Sequence, residues 1–555
     1  MSRQIRSGPL LEFADAAKSY SAACGSRDLD LDSHFDCFRG ASRKVTSKVP
    51  NVRRNIVANA IGQGWSGLLS ILLIPVYIRL LGVESYGLVG LYITVQAALA
   101  VLDFGLAGTI NRELARGSQG AITAAQMRNL VRTFEYLYWP TAALIAGLSL
   151  AVAPALSEKW LTPVQLSRTD VANALTLMGL VAAAQWPSSL YGGALAGLQK
   201  QGLLNFLIVV FSTLRSVGVV IPLLLIAPTV HVFLVWQIVM CLAQTAATAF
   251  ALWRNMPGGV QPVFARQELS RVWRFAGGVT GMAAASFVLA QFDRVILAYL
   301  LDLKEFGYYA TAAALASAIP RLVQPVAIAV YPRYSQLVAA HDEVGLRALY
   351  HRTNQFIAVQ LAVIGAVGFY YSHGLLLLWT SSPDLATAAG TVLAMLVLGN
   401  VFGGLASLPY SLQLAYGNTR LSLTLSIIGL FTYIPALWFA ASAWGAQGAA
   451  ATWLCLNVSL LLVGVHFMHR WMLVGEQSTW YRRDVLPVFA AAFTTGYALH
   501  FVLPELNRSL SGAMNLAFAT LAIGMAALLA AREVRGIAAS VAMRVVKILT
   551  GAPGR

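Results

Sequence analysis

Charged residues are scarce in this chain. Only 11% of its 555 residues are Asp, Glu, Lys or Arg, and 58% are hydrophobic, whereas soluble domains contain about 25% charged residues. A chain with so few charges and such long apolar runs cannot cover its apolar surface in water, which excludes a soluble globular protein. The runs do not alternate between apolar and polar residues, which excludes a transmembrane β-barrel. The sequence therefore predicts an all-α polytopic membrane protein.

Cysteines and catalytic motifs are also few. The four cysteines, Cys24, Cys37, Cys241 and Cys455, do not have the spacing of a metal site, so neither a metal site nor a disulfide framework is expected. The chain lacks a Walker A loop, an HExxH motif and the serine elbow of the hydrolases. We therefore expect neither ATP-driven transport nor catalysis, and we assign no catalytic residue, metal ligand or cofactor.

Acidic residues are outnumbered by basic ones, 23 against 39, which gives a formal net charge of +16. The basic residues fall in every second loop, as orientation in a membrane requires, and this placement argues against a nucleic-acid partner. The basic loops contain, among others, Arg112, Arg254, Arg333, Arg470 and Arg532. The positive-inside rule then predicts that both termini are cytoplasmic.

Fourteen apolar segments from residue 55 onward are long enough to cross a membrane, which takes about 20 residues at 1.5 Å per residue. An even number places both ends of the chain on the same side, in agreement with the charges. The segments are predicted at residues 55–80, 86–109, 132–156, 170–196, 203–226, 231–253, 273–301, 306–331, 353–379, 385–416, 419–442, 447–469, 485–503 and 512–531.

Polar residues precede and follow these segments. Residues 1–50 are mixed in charge and lack a sustained apolar period, so we predict a disordered cytoplasmic tail. Residues 532–555 are predicted to form a basic amphipathic tail at the cytoplasmic surface. The amphipathic stretch Arg333–Arg352 is predicted to lie along the same surface.

Landmarks of the first half of the chain recur in the second half, 220 residues later. Leu80–Gly87 matches Leu300–Gly307, and the basic turn Gly197–Lys200 matches Gly417–Arg420. Three landmarks share this offset, since Arg132 also aligns with Arg352. The repeat indicates two copies of one six-helix unit with the same topology.

This repeat predicts the domain organisation. The two six-helix lobes occupy residues 51–270 and 271–483, related by a pseudo-two-fold axis along the membrane normal, and residues 484–531 add two further helices. Paired lobes of this kind enclose a cleft that holds the substrate of a transporter, with access alternating between the two faces of the membrane.

Arginines inside the predicted spans are the candidate substrate-binding residues. A charge near the centre of a span costs about 2.5–3.5 kcal/mol or more and usually faces a cavity. Arg215 lies near the middle of its span, Arg294 toward the periplasmic end of the seventh span and Arg321 toward the cytoplasmic end of the eighth. Arg79 stands at the periplasmic end of the first span. Arginine binds phosphate oxygens in a two-pronged manner, so a phosphorylated cargo is indicated. Pairing of Arg215 with a neighbouring helix, neutralisation of Arg294 by Asp293 and snorkelling of Arg79 are the structural alternatives.

Two acids inside the spans, Asp103 and Asp293, are the candidates for gating or coupling. Arg321 corresponds to Val101 under the 220-residue offset, two residues from Asp103. We therefore predict an Asp103–Arg321 latch that closes the cytoplasmic side of the cleft when the cleft opens outward. The alternative is that Asp103 satisfies the backbone at the Phe104-Gly105 break.

The residues around the first loop resemble a known family. The pattern reads Arg79-x-Leu-Gly82-x-x-x-Tyr86-Gly87-Leu, then Asp103-x-Gly105-Leu, then Arg112-x-Leu-Ala. It is similar to that of the Wzx-type polysaccharide-biosynthesis (O-antigen) flippases of the MOP superfamily, which also includes the lipid II flippases and the MATE exporters. The resemblance covers residues 51–480. It implies two lobes in the bacterial inner membrane that move undecaprenyl-pyrophosphate-linked oligosaccharide from the cytoplasmic to the periplasmic leaflet by alternating access.

Three other functions stay open at this point. The first is a lipid II flippase, because the helices at 485–531 exceed the twelve that are common in O-antigen flippases. The second is a MATE-type exporter, which is expected to carry an acid in its first span, whereas residues 56–78 contain none. The third is a non-transporting scaffold for polysaccharide synthesis, which would not require arginines at membrane depth. The expected partners are a polyprenyl-pyrophosphate-linked glycan, membrane lipids, and a polysaccharide polymerase or glycosyltransferases.

Overall fold

The structure of the chain is a computed structural model. The structure describes residues 52–103, 105–118, 122–258, 261–265, 291–418, 420–504 and 506–536. The predicted N-terminal tail, residues 537–555 of the predicted C-terminal tail and residues 273–290 of the predicted seventh span lie outside these ranges.

The described residues form helices joined by short connections. The first half contains α1 (Val52–Leu72), α2 (Ile74–Leu81), α3 (Val83–Leu102), α4 (Leu106–Gly117), α5 (Ala124–Lys159), α6 (Arg168–Gly197), α7 (Gln201–Ser216), α8 (Val220–Leu225) and α9 (Val230–Asn255). Residues 291–300 form α10. The second half continues with α11 (Leu303–Ala316), α12 (Ala318–Ala339), α13 (Glu343–Tyr370), α14 (Ser372–Thr380), α15 (Pro383–Leu405), α16 (Ser407–Ala415), α17 (Arg420–Trp471), α18 (Gln477–Thr479), a π-helix (Trp480–Val485), α19 (Leu486–Val502) and α20 (Leu510–Ala530).

Side-chain caps explain where several of these helices begin. Each cap accepts a hydrogen bond from a backbone N–H of the first turn that has no partner within the helix. Thr123 and Gln126 form a complete capping box at the start of α5, and Asp302 caps α11. The other capping residues are Ser167, Thr229, Asp342, Ser382 and Ser509.

The helical prediction is confirmed, but the number of spans is not. Ten helices in the described part of the chain are long and apolar enough to cross a membrane. One of these, α17, consists of two helices, because Trp444 and Gly445 have non-helical backbone angles and Gly445 has φ of +56°. This break falls between the predicted spans 419–442 and 447–469. The count of fourteen stays a prediction.

Residues 333–352, predicted as an amphipathic stretch at the cytoplasmic surface, are divided between two helices. Helix α12 continues through Arg333 to Ala339, a turn follows, and α13 begins at Glu343. His341 in the turn has φ of +52°, and the Asp342 carboxylate accepts a hydrogen bond from the Gly345 N–H at 2.8 Å. The position of this stretch at the membrane surface stays a prediction.

Within residues 58–536, most of the other helices pack against α6 in the first half of the chain or α15 in the second half. In the first half α4, α5 and α9 pack against α6, and in the second half α11, α13, α14 and α17 pack against α15. Helices α19 and α20 pack against each other and against α13. The two sets meet chiefly where α3 crosses α11.

The crossing of α3 and α11 is symmetric under the 220-residue offset. A Cβ atom on Gly87 would lie 2.6 Å from the Leu303 carbonyl oxygen, and one on Gly307 would lie 2.4 Å from that of Val83. One turn further, a Cβ atom on Gly90 would lie 2.7 Å from that of Ala310, its equivalent under the offset. Since real Cβ atoms do not approach that closely, only glycine allows the two backbones to meet here.

Candidate functional site

The end of the bundle that contains this crossing is closed by several further contacts. Glu84, which is buried at the start of α3, accepts hydrogen bonds from the N–H groups of Val164, Gln165 and Leu166 at 2.7–3.3 Å. Thr162 in the same connection pairs with the start of α11, where its carbonyl accepts from the Leu303 N–H at 3.1 Å. Helices α3 and α11 and the α5–α6 connection are thus held together at this end.

Arg79 extends the contact at the same end. Its guanidinium is exposed and donates to the Ser381 hydroxyl at 2.5 Å. Ser381 has φ of +61° between α14 and α15. The structure therefore places this residue in a contact between the first and second halves of the chain.

Arg215 is held inside the first half of the chain by neutral groups. Its side chain donates to the Tyr92 hydroxyl at 2.8 Å and to Gln237 Oε1 at 3.0 Å. Gln237 in turn donates to the Arg215 carbonyl, and the Tyr77 hydroxyl donates to the next carbonyl, that of Ser216. Helices α2, α3 and α9 thus orient this arginine without supplying a negative charge.

Arg321 is exposed and also lacks an acidic partner. Its guanidinium lies 3.4 Å from both the Gly67 carbonyl and the Ser70 hydroxyl, which links α12 to α1. Its positive charge interacts with that of Arg294 on α10. Within the described ranges, neither Arg215 nor Arg321 forms an ion pair. The two arginines therefore carry charge that neighbouring side chains leave uncompensated.

Asp293 is buried beside Arg294. One carboxylate oxygen accepts a short hydrogen bond from the Tyr309 hydroxyl, and the other, Oδ1, has no hydrogen-bond partner among the described residues. Within the same ranges the buried hydroxyl of Tyr433 also lacks a partner, and it interacts electrostatically with Asp293. This group of an acid and two phenols was only partly foreseen, because Tyr309 and Tyr433 lie 16 and 140 positions away along the sequence.

Asp103 is also buried, and its partners are local. It accepts hydrogen bonds from the Tyr138 hydroxyl at 2.5 Å, the Ser189 hydroxyl at 2.9 Å and the Ala107 N–H at 3.0 Å. The last of these satisfies the backbone where α3 ends and α4 begins. In this conformation Asp103 and Arg321 are not paired in the described part of the molecule. The structure thus brings Arg294 and Arg321 within electrostatic reach of each other, while Asp103 lies in a separate network.

A polar cluster that the sequence did not reveal joins α13 to the π-helix. The His351 ring lies between two carboxylates, with Nδ1 bonded to Asp484 and Nε2 3.1 Å from Glu476. Gln355 donates to Asp484 at 2.8 Å, and Arg347 donates to Glu476 at 2.9 Å. We call these five residues the His351 clamp. Asp484 was visible as an acid at the edge of a predicted span, but its partners lie about 130 positions earlier.

The described residues contain no group of three His, Cys, Asp or Glu side chains that could hold a metal ion. The site is therefore built from arginines, two buried acids and phenol hydroxyls. Such an arrangement can bind an anion and position a proton or a cation.

Comparisons with known proteins identify relatives of this chain. The sequence profile of a family described as "Polysaccharide biosynthesis protein" matches residues 52–338, just over half of the chain. A protein of Shigella flexneri named "Putative O-antigen transporter" is 20% identical over 407 residues, which are 73% of this chain and 94% of the relative.

Solved structures share the fold. A lipid II flippase, MurJ, in an inward closed conformation aligns with a TM-score of 0.61 at 11% identity, over 86% of this chain and 99% of its own. An inward-facing multidrug resistance transporter of the MATE family and MOP superfamily aligns with a TM-score of 0.61 at 15% identity, over 75% of this chain and 96% of its own. At these identities the alignments show a common MOP-type fold.

Proposed function

Because this chain belongs to the family of polysaccharide biosynthesis proteins, we propose that it is a flippase for lipid-linked oligosaccharide. It carries an undecaprenyl-pyrophosphate-linked repeat unit from the cytoplasmic to the periplasmic leaflet of the bacterial inner membrane. The two lobes, residues 51–270 and 271–483, alternate access to a cleft between them, and both termini are cytoplasmic. The protein transports its cargo without catalysing a reaction, in the company of a polysaccharide polymerase or glycosyltransferases.

The observation that carries this proposal is the uncompensated charge of Arg215 and Arg321. Both lie in helices suited to a membrane, and both are hydrogen-bonded to neutral groups only. A charge at that depth is costly unless a cavity or a ligand of opposite sign accompanies it. A pyrophosphate carries negative charge, and its oxygens match the two-pronged geometry of the arginine guanidinium.

The crossing of Gly87 and Gly307 supports an alternating-access cycle. The two helices touch at equivalent positions, and Glu84 and Arg79 add contacts at the same end. A cleft closed at this end receives its cargo from the opposite end. Release requires the crossing to separate, after which an Asp103–Arg321 latch closes the other side.

Asp293 is the residue that we propose to couple transport to a cation or proton. It is buried, it is adjacent to Arg294, and one of its oxygens has no hydrogen-bond partner in the described part of the chain. An ion that occupies this oxygen changes the net charge beside Arg294 and therefore its attraction for a phosphate. Asp293→Asn is expected to permit cargo binding but to lower the transport rate.

The test is complementation of a strain that lacks its own O-antigen flippase. Arg215→Gln and Arg321→Gln together are expected to lower surface polysaccharide at least tenfold and to leave lipid-linked precursor in the cytoplasmic leaflet. The exposed pair Arg333→Gln with Arg352→Gln removes the same charge and serves as the control, and Arg215→Lys retains the charge if the glutamine variant fails to accumulate in the membrane. Normal surface polysaccharide from the double variant at wild-type abundance would contradict the proposal.

Lipid II is a second candidate cargo, since α19 and α20 pack against α13 as two helices beyond the two lobes. Complementation of a strain depleted of its lipid II flippase separates the two cargoes. Growth rescue would assign lipid II, and restored polysaccharide without growth rescue would assign the oligosaccharide.

A further inference from the structure

A basic cleft lies where α17 ends and the π-helix begins, apart from the arginines discussed above. It has a volume of about 590 Å³, within the range of about 300–1,000 Å³ that is typical of small-molecule sites. The buried side chain of His469 lines it, together with more accessible residues. The cleft is lined by His466, His469, Arg470, Gly475, Gln477, Ser478, Tyr481, Arg482 and Leu486.

The two arginines of this cleft are not neutralised by the acids closest to them in sequence. Glu476 bonds to Arg347 and His351, and Asp484 bonds to His351 and Gln355, so both carboxylates are directed to α13. Arg470 and Arg482 have no ion pair among the described residues, whereas their neighbour Arg483 pairs with Glu533. The His351 clamp thus engages both carboxylates, and no described carboxylate forms an ion pair with the two arginines of the cleft.

Other lining groups can position an anion but do not neutralise it. Gln477 and Ser478 have neutral polar side chains, and His466 contacts Gln477 at 3.2 Å through Nδ1, which leaves Nε2 as a further polar group. Two guanidinium groups beside neutral polar side chains form a setting suited to a phosphate.

The surroundings of the cleft indicate a lipid as the source of that phosphate. Trp471, Val474 and Leu486 beside it are exposed apolar side chains at the ends of two membrane helices. Tryptophan in that position is typical of the membrane–water interface, and basic pockets between membrane helices bind anionic headgroups. We propose that this cleft binds the phosphate of an anionic phospholipid headgroup, while the exposed apolar residues contact the adjoining acyl region.

The test measures lipid retention by the full-length protein in detergent. The purified protein is mixed with equal amounts of phosphatidylglycerol and phosphatidylcholine, and bound lipids are counted by native mass spectrometry. The wild type is expected to retain phosphatidylglycerol preferentially. Arg470→Gln with Arg482→Gln is expected to lower that preference about tenfold, and Ser478→Asp is expected to abolish it without removing an arginine.

The control variant Arg333→Gln with Arg352→Gln removes the same charge outside the cleft and is expected to leave the preference unchanged. An unchanged preference in both cleft variants would overturn the proposal, and so would an equal loss in the control. Displacement of phosphatidylglycerol by equimolar glycerol 3-phosphate would also overturn it, by assigning the cleft to a soluble phosphate. Because the readout is binding, a failure here is distinct from a failure of the transport test.

Discussion

A single carboxylate, that of Glu84, holds the connection between α5 and α6. Three backbone N–H groups converge on its two oxygens, and the side chain is buried. Hydrogen bonds from N–H groups to a buried carboxylate are among the stronger ones in proteins. This residue therefore acts as a fixed point for the closed end of the bundle.

Glu84→Gln is expected to destabilise the protein by about 1–3 kcal/mol, because an amide NH₂ would face backbone donors that need an acceptor. The change is measured as a lower midpoint of thermal unfolding in detergent. Glu305→Gln, an exposed acid near the start of α11, serves as the control and should unfold at the wild-type temperature. Equal midpoints for the two variants would count against the role of Glu84.

His351 is placed between two carboxylates, so both of its ring nitrogens must carry a proton if both are to donate. His351→Ala would leave Asp484, which is fully buried, with Gln355 as its remaining partner. The expected loss of stability is about 3–5 kcal/mol, as for other buried pairs that lose one partner. Thermal unfolding of this variant is compared with that of His373→Ala, which removes an exposed histidine. An equal loss of stability in the two variants would contradict the role of the His351 clamp.

Glu476 gives the clamp a pH dependence. Partial burial opposes ionisation of its carboxyl group, but the hydrogen bond from His351 and the charges of His351 and Arg347 outweigh it, so the pKa of Glu476 lies below its usual 4.5. A lowered pKa stabilises the folded state above the unfolded pKa, and this contribution is lost as the pH falls through the folded value. The difference in unfolding midpoint between wild type and Glu476→Gln should therefore persist down to about pH 5 and shrink below about 4.5. A difference that shrinks already between pH 7 and 6 would contradict this assignment.

At the scale of the helices, the crossing of α3 and α11 depends on the absence of side chains. Gly87→Ala is expected to destabilise the protein by about 1–3 kcal/mol, because the added Cβ meets a backbone oxygen that cannot rotate away. Unfolding in detergent is compared with that of Gly108→Ala in α4, where a Cβ atom meets nothing within 4 Å. The control should be neutral or slightly stabilising, because alanine favours helices. A neutral Gly87→Ala would show that the helices do not touch here.

The helices were predictable from the sequence to different degrees. Apolar runs indicated most of the long helices, and the break in α17 was predicted as a gap between two spans because polar and small residues interrupt the run near Gly445. The repeat identified Gly87 and Gly307 as equivalent, but equivalence within the chain does not reveal that the two positions touch. Arg215 was recognised by its depth alone. Its partners Tyr92 and Gln237 lie on other helices, and no local period connects them.

At the scale of the whole molecule, the alternation of basic loops predicts which end of the bundle faces which compartment. In a variant without the native cysteines, Arg508→Cys in the α19–α20 connection should react with a membrane-impermeant maleimide added to intact spheroplasts. Ser335→Cys near the end of α12 should react only after the membrane is opened. Arg508 is exposed and Ser335 is partly exposed, so a cysteine at either position can react. The reverse result would show that the orientation is opposite to the predicted one. Labelling of both positions in intact spheroplasts would show that they do not lie on opposite sides of the membrane.

The contact between Gly87 and Gly307 limits how far the two halves of the chain can diverge. Where two equivalent positions face different neighbours, each half can vary on its own. Here the corresponding residues are each other's neighbours, and any added bulk enters the same narrow space from both sides. A larger residue in one half cannot be offset by a smaller one in the other, since glycine is already the smallest. Positions 87 and 307 are therefore constrained together in sequence because they are in contact in the structure.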